Sequence, residues 1–515
     1  MRRLLLTFAM LAASAATVHA APAHAAGSSG DGPLDCGALA TMSFADTAVT
    51  SATMVSGQRF DYPDSLFNAL AGDHAYTENV SFCRVVGTIE GTIGFELWLP
   101  KYWNGKFQAV GNGGYTGAIN YPAMGAALQR GYATASTDTG HKSKDMFDVS
   151  WMDGYNQDLM NFGYRSQHLT ALRAKDIMVA FYGHGPRYSY FNGCSTGGWQ
   201  GLTEAQKFPD DYDGVIAGAP AHDFVRLQAN ILILAQLRAE HPEGNLSDAD
   251  RRMLADAAVA KCDPQDGVTD GLISHPLQCD FDPAELQCGR EGEGNCLSAA
   301  QVERARFLYG ERTTDRGLRL YPGPAWGTVT RSSEPQPVDE TGLVKALDAA
   351  PDWDFRTFDP DRDIPELEEK MLDDLSAMNP DLRIFYSNGS KLIVYHGTLD
   401  PGISPYHTLQ YREMVERALG SGITRSFYRI FLVPGMGHCR GGPGPDEFDM
   451  VTALEDWVEK GKAPERIVAV KRSNGRVTRS RPLCAFPQIA VYNGDGSTDS
   501  AENFTCQMPS RRRAQ

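Results

Sequence analysis

Three things are scarce in this chain of 515 residues: positive charge, apolar runs of membrane-spanning length, and repetition. Lys and Arg number 48 against 64 Asp and Glu, a net charge of −16. Such a surface repels phosphate, which excludes nucleic acid as a partner. Beyond the N-terminus no apolar stretch reaches spanning length, which excludes a bundle of membrane helices. No internal repeat or low-complexity tract occurs, so a solenoid or fibrous architecture has no basis. What is present is an ordinary globular composition, 42% hydrophobic, 10% aromatic and 22% charged. The length supports two or three domains and a sizeable core. Ten cysteines, an even number, point to an oxidising compartment rather than a reducing cytosol.

The N-terminus agrees with that compartment. Arg2 and Arg3 precede an apolar run from Leu4 to Ala16, followed by Val18-His19-Ala20 and Ala23-His24-Ala25. A charged start, a short apolar core and two A-x-A-like sites make residues 1–25 a signal peptide, cleaved near Ala21 or Ala26. The alternative is an uncleaved anchor. Cleavage removes two charged residues, both Arg, and leaves about −18 and all ten cysteines. The expected product is secreted or periplasmic, with no membrane contact after cleavage.

Along the mature chain two kinds of segment alternate. From residue 26 to 220, β-rich runs, glycine turns and helical stretches follow one another. Val85 to Leu99 reads as strand-turn-strand, Lys106 to Gly111 and Tyr188 to Asn192 as strands, and Tyr164 to Tyr182 as a helix. The pattern returns over 390–515, with strands at Lys391–His396 and Phe427–Val433 and a helix from Asp446 to Glu459. This is an α/β protein with a mostly parallel sheet. Residues 221–389 differ. They hold four cysteines, many Asp-Pro and Gly turns, helical pieces at Asp248–Val259 and Ser298–Phe307, and few strand-like runs. The segment reads as an insertion, a lid on the α/β core. The Arg511-Arg512-Arg513 tail reads as a loose end.

One short stretch carries chemistry: Asn192-Gly193-Cys194-Ser195-Thr196-Gly197-Gly198. Gly-x-Ser-x-Gly after a strand and before a helix-compatible run, Trp199 to Lys207, is the nucleophile elbow of an α/β-hydrolase. The serine must sit on a sharp, strained turn, and side chains beside it would clash with sheet and helix. A serine hydroxyl then needs a base, and the base an orienting acid, in the chain order Ser, acid, His. Asp400 follows the strand Lys391–His396 in a Gly-Pro turn, where the acid belongs; a turn-capping Asp is the alternative. His438 lies in the glycine loop after Phe431-Leu432-Val433 and is the expected base. His396 lies within a strand, and His141 and His222 come too early or fall on the insertion, so these read as hydrogen-bonded structural groups. The oxyanion needs two backbone donors. Thr196, next after the nucleophile, supplies one. Gly114, in the early loop Gly111-Asn112-Gly113-Gly114, supplies the other unless that loop is a plain turn.

Cys194 precedes the serine and Cys439 follows the histidine, 245 residues apart in sequence. If both assignments hold, the fold brings these cysteines close, and a disulfide would clamp the two loops together. Cys194-Ser195, Asp400 and His438-Cys439 resemble the Cys-Ser…Asp…His-Cys arrangement of the tannase/feruloyl esterase family. The likeness runs from about Cys36 to Cys506. It takes in Trp103-Asn104-Gly105, Phe208-Pro209, Tyr212-Asp213-Gly214, Gly218-Ala219-Pro220, Val433-Pro434-Gly435-Met436 and Arg481-Pro482-Leu483-Cys484. The resemblance implies an α/β-hydrolase core with a large inserted lid, and a bonded Cys194–Cys439 pair beneath the triad. It also implies the pairs Cys36–Cys83, Cys262–Cys279, Cys288–Cys296 and Cys484–Cys506. Sequence alone does not choose among the connectivities. A reactive redox role for the Cys194–Cys439 pair is the alternative.

Within the insertion, Asp263, Asp266 and Asp270 are spaced to converge in a glycine turn, with the carbonyls of Val268 and Leu272 filling in. Hard oxygen ligands suit Ca²⁺, although the spacing is only loosely that of an EF-hand and the closing Glu is missing. An acidic turn is the alternative. The resemblance implies a structural lid calcium on this segment and no organic cofactor.

The expectation is therefore an exported serine carboxylic ester hydrolase acting on small aromatic esters, feruloyl, other hydroxycinnamoyl or galloyl, through an acyl-enzyme. Trp326, Trp353, Phe355, Phe358 and Phe385 are lid aromatics that could line the substrate pocket or simply form lid core. Monoesters of terephthalic acid, the substrate of one member of that family, are a second substrate class, against which stands that no convincing counterpart can be placed for the arginine that grips the substrate carboxylate in that member. The same fold could also serve as a non-catalytic binder of aromatic ligands, or as a peptidase or lipase.

Overall fold

Nine strands form the central sheet, in the order β1-β2-β3-β5-β4-β6-β7-β8-β9. The computed structural model describes residues 34–68, 75–152, 156–289, 295–330 and 353–509. The expected signal peptide, both cleavage sites and the Arg511–Arg513 tail lie outside them. The strands are β1 (Thr47–Asp61), β2 (Tyr76–Ile89), β3 (Ile93–Pro100), β4 (Lys106–Val110), β5 (Ala133–Thr137), β6 (Tyr188–Cys194), β7 (Gly214–Gly218), β8 (Lys391–Gly397) and β9 (Tyr428–Val433). β1, β2, β3 and β5 pair antiparallel, whereas β5, β4, β6, β7, β8 and β9 pair parallel.

The parallel strands are short and almost wholly buried, as helices covering both faces require. Alternate residues enter opposite cores: Phe191, Val215, Leu392, Val394 and Ile430 on one face, Tyr190, Ile216, Ile393 and Phe431 on the other. Onto the second face packs a helix at Met450–Lys460, through Met450, Leu454 and Trp457, one apolar stripe of a 3.6-residue period. It begins four residues later than the sequence suggests. The side chain of Asp449 accepts from the backbone N–H of Thr452, so the cap is Asp449 and not Asp446.

Between β7 and β8 the described residues add no strand to the sheet. A helix at Asp248–Cys262 opens on a capping box of Ser247 and Asp250, and one at Ala299–Tyr309 on a box of Ser298 and Gln301. These two helices share a small core of Leu254, Ala258, Ile273, Phe281, Leu297, Val302 and Ala305. Two further helices of the insertion, Phe224–Glu240 and Pro360–Leu375, instead join the main core through Phe224, Leu232, Ile364, Leu367 and Met371. The described residues from Leu34 onward accordingly form one compact unit.

Five disulfides staple this unit: Cys36–Cys83, Cys194–Cys439, Cys262–Cys279, Cys288–Cys296 and Cys484–Cys506. Among the described residues no helix is long and apolar enough to cross a membrane.

Candidate active site

Ser195 stands at the turn between β6 and a helix at Thr196–Lys207, with φ 65° and ψ −121°. A non-glycine residue in that region is strained, and it persists only where its surroundings over-determine it. They do so here. The backbone N–H of Ser195 donates to Gly218 O at 2.9 Å, and its carbonyl accepts from Trp199 N and Ala221 N. Gly193 is needed because a Cβ there would lie 2.5 Å from the carbonyl oxygen of Gly197. Cys439, bonded to the residue before Ser195, is a second non-glycine residue at positive φ, 61°.

The three residues expected to act together are brought together. His438 Nε2 lies 2.8 Å from Ser195 Oγ, and its Nδ1 lies 2.6 Å from Asp400 Oδ2. The carboxylate accepts, so Nδ1 carries the proton and Nε2 is free to accept from the serine. Asp400 is fully buried, and its other oxygen accepts from the N–H groups of Gly402 and Ile403, both at 2.9 Å. Burial alone would raise its pKa. Hydrogen bonds from His396 and His438 outweigh that and hold the carboxylate well below its ordinary range.

His396 is a partner of the acid that its place within a strand does not reveal. Its Nε2 donates to Ile403 O at 3.0 Å and sits 3.4 Å from Asp400 Oδ2, while Nδ1 accepts from the Thr408 hydroxyl at 2.8 Å. It is structural, as expected, but it holds the acid's loop. His222 is likewise buried, its Nδ1 donating to Pro220 O at 2.9 Å.

The glycine loop after β4 lies against the serine turn. Thr196 Oγ1 donates to Gly114 O at 2.7 Å, and Gly197 N donates to Asn112 O at 2.9 Å. Gly114 has φ 58°, and a Cβ on it would collide with the carbonyl of Met146. Asn112 anchors the loop. Its N–H donates to Gln200, its amide donates to the carbonyls of Ala118 and Thr137, and its Oδ1 accepts from Gln167 at 2.8 Å. The histidine loop is tied to the acid loop in the same manner, Leu399 N to Met436 O and Gly435 N to Thr398 Oγ1, both at 2.9 Å.

All of this opens on a cavity of about 870 Å³, whose apolar wall includes Phe67, Met146, Phe147, Leu227, Ile231 and Leu234. That volume is within the range of small-molecule sites. None of the five lid aromatics named from sequence lines it. Trp326 stacks on Tyr309 with centroids 4.3 Å apart and meets Phe281 edge-on, in the insertion's own core. Phe358 and Phe385 are buried in the main core, and Trp353 and Phe355 pack against it. The wall comes instead from the helix at Phe224–Glu240 and the loop around Met146.

In the acidic turn of the insertion, Asp263 accepts from the N–H groups of Asp270 and Gly271, Asp266 from Val268, and Asp270 from Leu272 and the Arg481 guanidinium. Burial, with the neighbouring carboxylates, pushes the pKa values of Asp266 and Asp270 up, while Arg481 counters this at Asp270. Three hard-oxygen side chains with excess negative charge fit a hard cation in kind. A different group gathers its ligating atoms within 4.8 Å: His168, Glu204 and Asp211. There Lys175, which donates to the Asp211 carbonyl, already brings positive charge.

Sheet order, elbow and hydrogen-bond chain define an α/β-hydrolase with a serine, a histidine and an aspartate in one relay. The family model described as "Tannase and feruloyl esterase" matches residues 77–344 and 333–507. The chain belongs to this family and is a carboxylic ester hydrolase. It is 33% identical over 541 aligned positions to an uncharacterized esterase of Xanthomonas campestris pv. campestris, covering 92% of this chain and 91% of that one. It is 31% identical to the mono(2-hydroxyethyl) terephthalate hydrolase of Piscinibacter sakaiensis, covering 83% and 85%. The crystal structure of feruloyl esterase B from Aspergillus oryzae superposes with a TM-score of 0.83 at 28% identity, over 92% of this chain and all of that one.

Proposed function

We propose that this protein is an exported serine esterase that hydrolyses esters of aromatic acids, feruloyl, other hydroxycinnamoyl or galloyl. The observation that carries the reading is the unbroken chain Ser195–His438–Asp400 at the edge of the cavity. Ser195 Oγ attacks the ester carbonyl carbon while His438 Nε2 takes its proton. The oxyanion accepts from the backbone N–H groups of Thr196 and Gly114. As the tetrahedral species collapses, His438 protonates the departing alcohol. Water then attacks the acyl-enzyme, again through His438, and releases the acid and free Ser195. Asp400 keeps the imidazole in the reactive tautomer and stabilises its protonated form. Export rests on the N-terminal residues 1–25 and agrees with five formed disulfides.

The turn at 263–272 would hold Ca²⁺ through the carboxylates of Asp263, Asp266 and Asp270 and the carbonyls of Val268 and Leu272. Bound there, the ion supplies the charge that lets buried carboxylates stay ionised, and it takes no part in the reaction. A chelator should then lower the melting temperature, with calcium restoring it; an unchanged melting temperature counts against the ion.

The test of the activity is a panel of methyl ferulate, methyl gallate, long-chain esters and peptides. Turnover of the aromatic esters above all others is expected. Failure on every aromatic ester would sink the reading.

A further inference from the structure

The group formed by His168, Glu204 and Asp211 stands outside the catalytic cavity, and the reaction makes no use of it. Glu204 lies near the far end of the helix Thr196–Lys207 from Ser195, about 13 Å along its axis. Asp211 follows in the next turn, where its N–H donates to Phe208 O at 3.0 Å. His168 comes from a second helix, Ser166–Tyr182. Its ring stacks on Phe208, with centroids 3.7 Å apart and planes within 10° of parallel, which fixes where its nitrogens point. Nδ1 lies 2.6 Å from Asp211 Oδ2.

Glu204 is the member that the protein leaves unsatisfied. It is 1% exposed, and both of its carboxyl oxygens are buried with no donor. The group beside it, Asp211, is another carboxyl. Lys175 donates to the backbone carbonyl of Asp211 rather than to a carboxylate, so two acids face one ammonium. Burial and Asp211 push the Glu204 pKa well up, and Lys175 counters them. A buried carboxylate with neither donor nor counterion is strongly destabilising, and a cation held between the two acids would remove that penalty.

We propose that His168 Nδ1, with one carboxylate oxygen each from Glu204 and Asp211, binds a Zn²⁺ ion that staples the helix behind Ser195 to its neighbour. The donor set selects the ion. Calcium wants roughly six to eight oxygens, whereas zinc accepts a tetrahedral set of imidazole and carboxylate. Ligands on tetrahedral zinc stand about 3.4 Å apart. That falls between the 2.6 Å from His168 Nδ1 to Asp211 Oδ2 and the 4.8 Å within which the whole group lies, so small side-chain rotations close the site. The His168 side chain is 24% exposed, which gives the ion an entry path and a water as fourth ligand. On binding, His168 keeps its proton on Nε2 and both acids are ionised. The distance from Ser195 makes the role structural.

The test uses untagged protein, stripped with a chelator and returned to excess Ca²⁺ so that all-oxygen sites are filled. Zn²⁺ is added and free ion removed by gel filtration. About one zinc per chain should remain by plasma mass spectrometry. At a hundredfold its dissociation constant, zinc should raise the melting temperature by about 2 to 3 °C. Co²⁺ in its place should give the visible d–d absorption of a four-coordinate site. His168→Ala should lose the retained metal, the thermal shift and the cobalt bands, while Asp263→Asn, in the acidic turn of the insertion, should keep all three. Glu204→Gln, nearly isosteric, should lose the zinc as well, and it decides the matter if His168→Ala does not fold. Wild-type protein that retains no zinc, or variants that retain as much as wild type, would overturn the proposal. So would a wild type without zinc whose melting temperature Glu204→Gln matches, because a proton on Glu204 then fills the site. None of these measurements passes through ester turnover, so the outcome is independent of the esterase reading.

Discussion

The two ends of the cavity are built on opposite terms. On the side of the parallel strands, polar groups find partners inside the protein: Asp400 in two histidines and two backbone N–H groups, Asn112 in Gln167, Gln200 and two carbonyls. On the side of the insertion the set is less complete: Arg251 and Arg304 are satisfied by the protein, but Arg312 keeps a buried Nε with no partner. Chemistry needs dipoles fixed before the substrate arrives, and the acid and the glycine loop are held by several hydrogen bonds each. The disulfides follow the same division. Cys194–Cys439 joins loops 245 residues apart, whereas Cys262–Cys279 and Cys288–Cys296 close 17 and 8 residues within the insertion.

The sharpest way to break this contrast is to disturb the fixed end. Asp400→Asn leaves the shape intact but favours the wrong imidazole tautomer, and kcat on methyl ferulate should fall about 10⁴-fold. A fall under tenfold would mean that the hydrogen bond at 2.6 Å does not orient the base.

The staples come next. Loop entropy makes the Cys194–Cys439 bridge worth about 5 kcal/mol and the Cys288–Cys296 bridge about 2 kcal/mol. Urea midpoints of the two double Cys→Ala variants should separate accordingly, and equal losses would remove the difference between the ends. Trp326→Ala, in the core of the insertion, should destabilise by about 3 kcal/mol while kcat on a short ester stays within threefold. A large drop in kcat would place Trp326 in the pocket after all.

Acid probes the junction between the two ends, where the insertion leaves β7. His222 is buried there and its pKa is pulled down to about 3, by burial first and by His407 next. The unfolded chain therefore binds a proton that the folded one refuses. Stability should be full above pH 6.5 and fall by about 1.4 kcal/mol per pH unit as pH drops from there towards 3. Urea titrations between pH 7 and 4.5 should show a shallower slope for His222→Gln, and an unchanged slope would mean that His222 is not the group responsible.

How much of this was legible in the sequence follows from where the information lies. Ser195, Asp400 and His438 were legible because each follows a short buried strand and sits among glycines, a local pattern. So were β4, β6 and β8. β1 was not, because Thr47–Asp61 is mostly exposed and shows no clean alternation of apolar residues. The pocket wall is hidden for a related reason. Leu227, Ile231 and Leu234 have the spacing of any core-facing helix, and Trp326 and Phe385 look like pocket aromatics until their neighbours are known. Nor does the sequence distinguish Arg312, with no acid beside it, from Arg304, whose partners lie 59 to 67 residues away. Pairing across such distances is a property of the fold.

The central claim is that Ser195 is the acylated nucleophile. Treating the folded protein with a fluorophosphonate and mapping the adduct by peptide mass tests it most directly. One adduct per chain is expected, on the peptide containing Ser195, suppressed by prior incubation with an aromatic ester and absent from Ser195→Ala. An adduct that persists in Ser195→Ala, or wild-type turnover by that variant, would contradict the account.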